Sequence, residues 1–376
     1  MLLLWHVLSG LTTPQALASV AFPSWSAAPP FAIMREALHH ALHLRFPEAL
    51  QVATQLEEQQ QPTLASRLTA GIIAYFQTRW QTPQAASPHH TGHKLLQEML
   101  AEGQKLRPTP TQDPQRQLLL GLAAVFEALL PPPDHSWHRL QLLAQGQSWL
   151  QQALVADETL SDAHLGLGLL YFASAELPAL LRRLWEIQAG QSAEEAISHL
   201  QRAVEKGHFS QDMARTFLAR LYAQEKRHQE AITLGQALQE TFPQNGYYTL
   251  LTGRSQCTDN QFVPCAATLG KLAACLTDTP AILAGRDDRF DLYYFWGLAL
   301  NETGQYDQAF QAFRQAINAD PRTLRDESLW AKYHLATLYE RNGQAATARQ
   351  IYRKLLGERH VADLHQQVQQ RLARLQ

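Results

Sequence analysis

Small residues recur at a fixed count through the second half of this 376-residue chain. Ala219, Gly253, Gly297 and Ala336 each stand twelve residues before another small residue, in turn Ala231, Cys265, Ala309 and Ala348. Twelve residues beyond two of these come Pro243 and Pro321. A position that stays small in every period marks a crossing where two helices approach too closely for a bulky side chain. Hairpins of this kind bury their apolar faces only by stacking on one another. The pattern therefore predicts an all-α solenoid of stacked antiparallel helix hairpins. Such an array offers a surface for holding other molecules rather than an enclosed pocket.

Composition agrees with helix: Leu, Ala and Gln dominate, while Val and Ile are scarce. A formal charge of −2 provides no broad basic face, so a nucleic-acid partner is not expected. No stretch reaches the roughly 18 apolar residues that a membrane-spanning helix needs. Residues 118–130 come nearest, and Glu127 interrupts them. At the N-terminus, MLLLWHVLSGL followed by Gln15-Ala16-Leu17-Ala18 has the form of a secretory signal cut after Ala18, although no Lys or Arg precedes Arg35. The expected location is periplasmic or otherwise exported, with a cytoplasmic protein as the alternative. Residues 1–30 then comprise the signal and a Pro-rich linker, 31–160 degenerate hairpins, and 161–376 a regular array with a helical insertion at 173–193.

The clearest unit is FDLYYFWGLALNETGQYDQAFQAFRQAINADP, residues 290–321. Trp296, Gly297 and Leu300 share one helical face, Gly304 marks a turn, Tyr306 opens a second helix, and Ala309, Phe313 and Ala316 recur at helical spacing before Pro321. In order and spacing these residues resemble the tetratricopeptide repeat, a helix–turn–helix unit of about 34 residues. Flanking units fit through Ala219, Tyr222, Ala231 and Pro243, and through Ala336, Tyr339, Gly343, Ala348 and Tyr352. The resemblance implies a superhelix in which the first helix of each hairpin lines a concave groove. By register it assigns Arg220, Gln224, Tyr247, Arg254, Tyr294, Asn301, Trp330, Tyr333 and Arg341 to that groove. Arg220 and Arg254 would then sit one period apart, placed to grip a carboxylate-bearing peptide. The Lys, Asn and Arg set of the family's chaperone-tail receptors is not found here.

The implied function is a non-catalytic scaffold that holds a protein or peptide. The alternative is a domain recruiting substrate for an envelope or glycan-processing enzyme. No phosphate loop, GxSxG elbow, HExxH or dinucleotide fingerprint occurs, and no cofactor is expected. His39 and His43 lie one helical turn apart, but no carboxylate or Cys nearby in sequence has matching spacing, so no metal is expected either. Of three cysteines, Cys257 and Cys265 span a hairpin turn. They are either bridged, as an exported protein allows, or simply small and buried. In the insertion, Leu177, Leu180, Leu181, Leu184 and Trp185 form an apolar stripe beside Arg182 and Arg183. Packing on the adjacent hairpin as a lid is the expected role, with peripheral membrane contact through residues 177–187 as the other.

Overall fold

The computed structural model describes residues 29–375 apart from 60–63, 81–87, 106–112, 131–135, 176, 191, 279, 284–285 and 321–324. The signal and most of the linker expected at residues 1–30 lie outside the described residues. Helix begins at Pro29, a residue type suited to the first helical position.

Among the described residues eight hairpins follow one another. Helix α1 (Pro29–Leu42) pairs with α2 (Phe46–Gln59), α3 (Leu64–Trp80) with α4 (Pro88–Lys105), and α5 (Pro114–Leu129) with α6 (Ser136–Ala156). In the fourth hairpin α7 (Ala163–Ala175) pairs with α9 (Ala193–Lys206), and α8 (Ala179–Ala189) is the insertion. The regular array continues as α10 (Gln211–Gln224) with α11 (His228–Thr241) and α12 (Gly246–Thr258) with α13 (Phe262–Asp278). It ends with α14 (Arg286–Glu302) and α15 (Tyr306–Ala319), then α16 (Asp326–Arg341) and α17 (Ala345–Leu356). The last helix, α18 (Ala362–Arg374), lays Leu364 and Val368 on the final hairpin and turns a polar face outward. No strand occurs among the described residues.

One turn geometry joins the two helices in five of the hairpins. Its left-handed residue is Leu44, Lys226, Asn260, Gly304 or Gly343, with φ between 59° and 79°. The next amide donates back to a carbonyl of the first helix: Arg45 to His40, Arg227 to Tyr222, Gln261 to Gln256, Gln305 to Leu300 and Gln344 to Tyr339, at 2.8–3.0 Å. This loop satisfies carbonyls that the helix end leaves open. Only two of the five left-handed residues are glycine, so the repeat is more regular in structure than in sequence.

Close crossing holds each pair together, but the partner differs from the expected one. A Cβ built on Gly253 would lie 2.3 Å from Leu269, and one on Gly297 would lie 2.9 Å from Phe313. The glycine thus receives the large residue one turn past the small one. Cys265 and Ala309 are buried beside that contact. The same arrangement, with a Cβ approach of 2.6 Å, sets Gly71 against Leu96, Gly121 against Leu150 and Gly168 against Leu200. The degenerate N-terminal half therefore uses the same joint.

First helices also meet the first helices of neighbouring hairpins, from α1·α3 through α12·α14, and so form the inner layer of the curve. The curve is tight enough for its start to touch its middle. Phe31 stacks on Phe209 at 5.3 Å, Asn245 donates to the Leu42 carbonyl at 2.9 Å, and Trp80 meets Tyr247 at 5.6 Å. One apolar core consequently runs unbroken from Phe31 to Leu251. Beyond it three smaller cores carry α13–α18 as an arm.

The insertion corrects the expected single stripe. Leu177 and Trp185 are buried at 2% and 1% exposure, whereas Leu180 and Leu184 are 72% and 46% exposed. Positions 177, 181 and 185 repeat every four residues and form the packed row, and Leu180 and Leu184 form the next row, which faces away.

Candidate functional site: the inner face of the superhelix

The inner layer is richest where α3, α10 and α12 converge. Tyr75, Phe76, Arg79 and Trp80 from α3 meet Thr216, Phe217 and Arg220 from α10, and Tyr247 from the first turn of α12. Sequence periodicity expects the third helix to end at Phe76. The structure carries it one turn further to Trp80, and that turn delivers Arg79 and Trp80 onto α12. The Arg220 guanidinium lies over Phe172 at 5.0 Å. Burial raises the pKa of the Tyr75 hydroxyl against the opposing positive charges of Arg220 and Arg79. About 10 Å³ of room remains between these side chains, near the minimum for a single water. The floor is a contoured surface with two partly exposed guanidiniums, suited to contact with another macromolecule. A wider cleft of about 600 Å³ lies elsewhere, between the α6–α7 turn and α9.

A charged cluster borders this floor. Arg79 stands 3.7 Å from Asp288 in the first turn of α14. Burial pushes Asp288 up to about 6, against the pull of Arg79. One turn on, Asp291 receives Arg325 at 2.6 Å and Arg254 at 3.3 Å. Burial raises Asp291 as well, opposed by both arginines. Arg254 also lies over Phe295 at 5.4 Å. Asp291 thus engages the guanidinium that sequence register offers to a ligand.

Apart from Arg254, which Asp291 holds, the register-assigned residues fall into three overlapping groups. Arg220 and Tyr247 are brought together on the floor. Tyr247, Tyr294 and Tyr333 are buried between helices, with Tyr294 stacked on Phe290 at 5.6 Å and Tyr333 edge-on to half-buried Trp330 at 5.5 Å. Gln224, Asn301 and Arg341 stand at the ends of α10, α14 and α16, beside the turns. Asn301 bonds Glu302 at 3.2 Å, and Arg341 lies over Tyr306 at 3.4 Å. Sequence register missed Tyr75 and Arg79 because the second hairpin was not aligned to the repeat. The signal was Gly71: with that glycine at the crossing, Tyr75 takes the place that Cys257 holds in the sixth hairpin.

The two cysteines left open by the sequence are bonded. Cys257 and Cys265 are joined at an S–S distance of 2.14 Å, and Cys275 is free and exposed. No helix among the described residues is long and apolar enough to cross a membrane.

A tetratricopeptide repeat family model matches residues 300–372, the segment with the most regular joints. Over that segment the chain carries tetratricopeptide repeats. The likeness in fold is wider than the matched segment: the Cut9 structure of the APC/C Cut9–Hcn1 hetero-tetramer superposes with a TM-score of 0.58 over 91% of this chain, at 12% identity. This chain spans about half, 55%, of that one. Yeast Tom70 (12% identity, 92% of this chain and 82% of that one) and MamA from Desulfovibrio magneticus RS-1 (19%, 46% and 88%) are also similar, at TM-scores of 0.43 and 0.37. No curated protein matches the sequence. These likenesses concern fold alone.

Proposed function

We propose that this chain is a non-catalytic interaction scaffold that holds a segment of a protein partner against its inner face. The observation that carries the reading is the floor formed by Arg79 and Arg220 among Tyr75, Trp80 and Tyr247. Arginine and large aromatic side chains dominate the energetics of protein interfaces. Here rigid helices hold them in place, so little ordering cost accompanies binding. Half-buried Trp330, further along the arm, extends the contact path. Export remains part of the reading. The Cys257–Cys265 bond supports it, because such bonds persist in oxidising compartments.

The test is capture of a partner from the native host by the full chain, repeated with Arg220→Glu and with Arg79→Gln/Arg220→Gln. The reading expects the partner to be lost from both variants while each keeps a cooperative melting transition. Equal recovery by folded variants would refute it.

A further inference from the structure

On α1, His39 and His43 present their Nε2 atoms to each other at 3.2 Å. Two imidazole nitrogens on one tetrahedral zinc, each at the usual metal–nitrogen distance, stand about 3.3 Å apart. The rings meet edge to face at 4.7 Å. Phe242 packs against both, at 5.2 and 4.9 Å, and so fixes their orientation. The other nitrogen of His39, Nδ1, lies 3.3 Å from Oδ2 of Asp212 on α10. A ligating imidazole characteristically gives its second N–H to a carboxylate in this way, which sets the tautomer and strengthens the ligand. Asp212 is 173 positions away in sequence and could not be anticipated from spacing.

We propose that His39 and His43 chelate a divalent transition-metal ion of the zinc class through their Nε2 atoms, with Asp212 as the outer carboxylate that orients His39. No group of three or more His, Cys, Asp or Glu suited to a metal occurs among the described residues. Water therefore completes the coordination sphere, and the site is open and exchangeable. Arg35 nearby and Arg215, which bonds Asp212 at 2.8 Å, temper the affinity. A second imidazole pair, His164 with His199 at 2.9 Å, is less hospitable because Arg202 and Lys206 place positive charge beside it. Because Asp212 belongs to α10, an ion on the α1 histidines strengthens the contact by which the superhelix closes on itself.

The experiment is calorimetric titration of the metal-stripped full chain with zinc chloride, and separately with nickel chloride, at pH 7.5, together with melting temperatures with and without the ion. The proposal expects one leading equivalent and an ion-dependent rise in melting temperature, both lost in His39→Gln and in His43→Gln. Asp212→Asn should keep the stoichiometry and weaken binding by about tenfold or more. His199→Gln should behave as wild type. The competing arrangement is a proton chain in which His43 donates to His39 and His39 to Asp212, with no ion. Absence of a leading equivalent with the wild-type chain would favour that alternative, and an isotherm unchanged in the His39→Gln/His43→Gln double variant would place the ion elsewhere; either result overturns the proposal. Wild-type affinity in Asp212→Asn would remove the carboxylate from the site.

Discussion

At each crossing glycine a single added carbon would have to displace a neighbour. The Cβ of any larger residue at Gly253 would fall 2.3 Å from the Leu269 side chain, which would have to move. Gly253→Leu should cost about 1–3 kcal/mol, read as a lower urea midpoint at unchanged slope. The turn positions follow a different rule. Gly304 at φ 79° has the conformation that L-residues resist, so Gly304→Ala should cost about 1 kcal/mol. Lys226, at φ 60° in the equivalent turn, should gain stability on mutation to Gly, partly offset by a freer unfolded chain. His334 stacks on Phe313 at 5.2 Å with an interplanar angle of 11°, and burial pushes it down to about 4. Unfolded, it takes up its proton near pH 6.5. Its contribution is therefore complete above that value and declines as pH falls toward 4, by about 2 kcal/mol at pH 5. His334→Phe should be more stable than wild type at pH 5 relative to pH 7.5 in paired denaturation curves. Asp288 has the opposite sign: raised to about 6, its contribution weakens as pH rises through that value.

Among the elements, long amphipathic helices with small crossing residues were legible, and joints that depend on a distant partner were not. The hairpin from Phe290 to Ala319 could be read residue by residue, because Gly297, Gly304 and Phe313 each have one structural reason to be there. In the second and third hairpins the same crossing exists, but polar connectors of different length separate Gly71 from Leu96 and Gly121 from Leu150, and the fixed count is lost. The inner floor was half legible. Register within one repeat supplied Arg220 and Tyr247, whereas Arg79 and Trp80 reach them only because the chain curves back, a property of the sum of many small rotations between hairpins. The insertion shows the same limit: a stripe of five apolar residues does not reveal which row finds a neighbour. Trp185→Ala should release α8 at a cost of about 3–5 kcal/mol, while Leu180→Ala should leave the denaturation curve within about 0.5 kcal/mol. In the sixth hairpin, replacing Cys257 and Cys265 by Ser should remove about 2–3 kcal/mol, chiefly from α12 and α13, as faster amide exchange there would report.

For the whole molecule, closure matters more than repeat number. The continuous core from Phe31 to Leu251 makes α1–α12 one cooperative body, and the arm rests on three separate cores. Amides of α14–α18 should exchange with solvent at lower free energy than those of α3, α5 and α10. The inner face therefore joins an arginine–tyrosine floor on the continuous core to an arm that meets it through the Arg79–Asp288 and Arg254–Asp291 pairs. A partner segment held there should touch first helices and avoid second helices. The most direct measurement places a photo-crosslinking residue at Gln224, exposed at the inner-layer helix α10, or at Val263, 72% exposed on the outer-layer helix α13. The account predicts a partner adduct from position 224 and none from position 263. Equal labelling at both positions, or labelling at 263 alone, would contradict it.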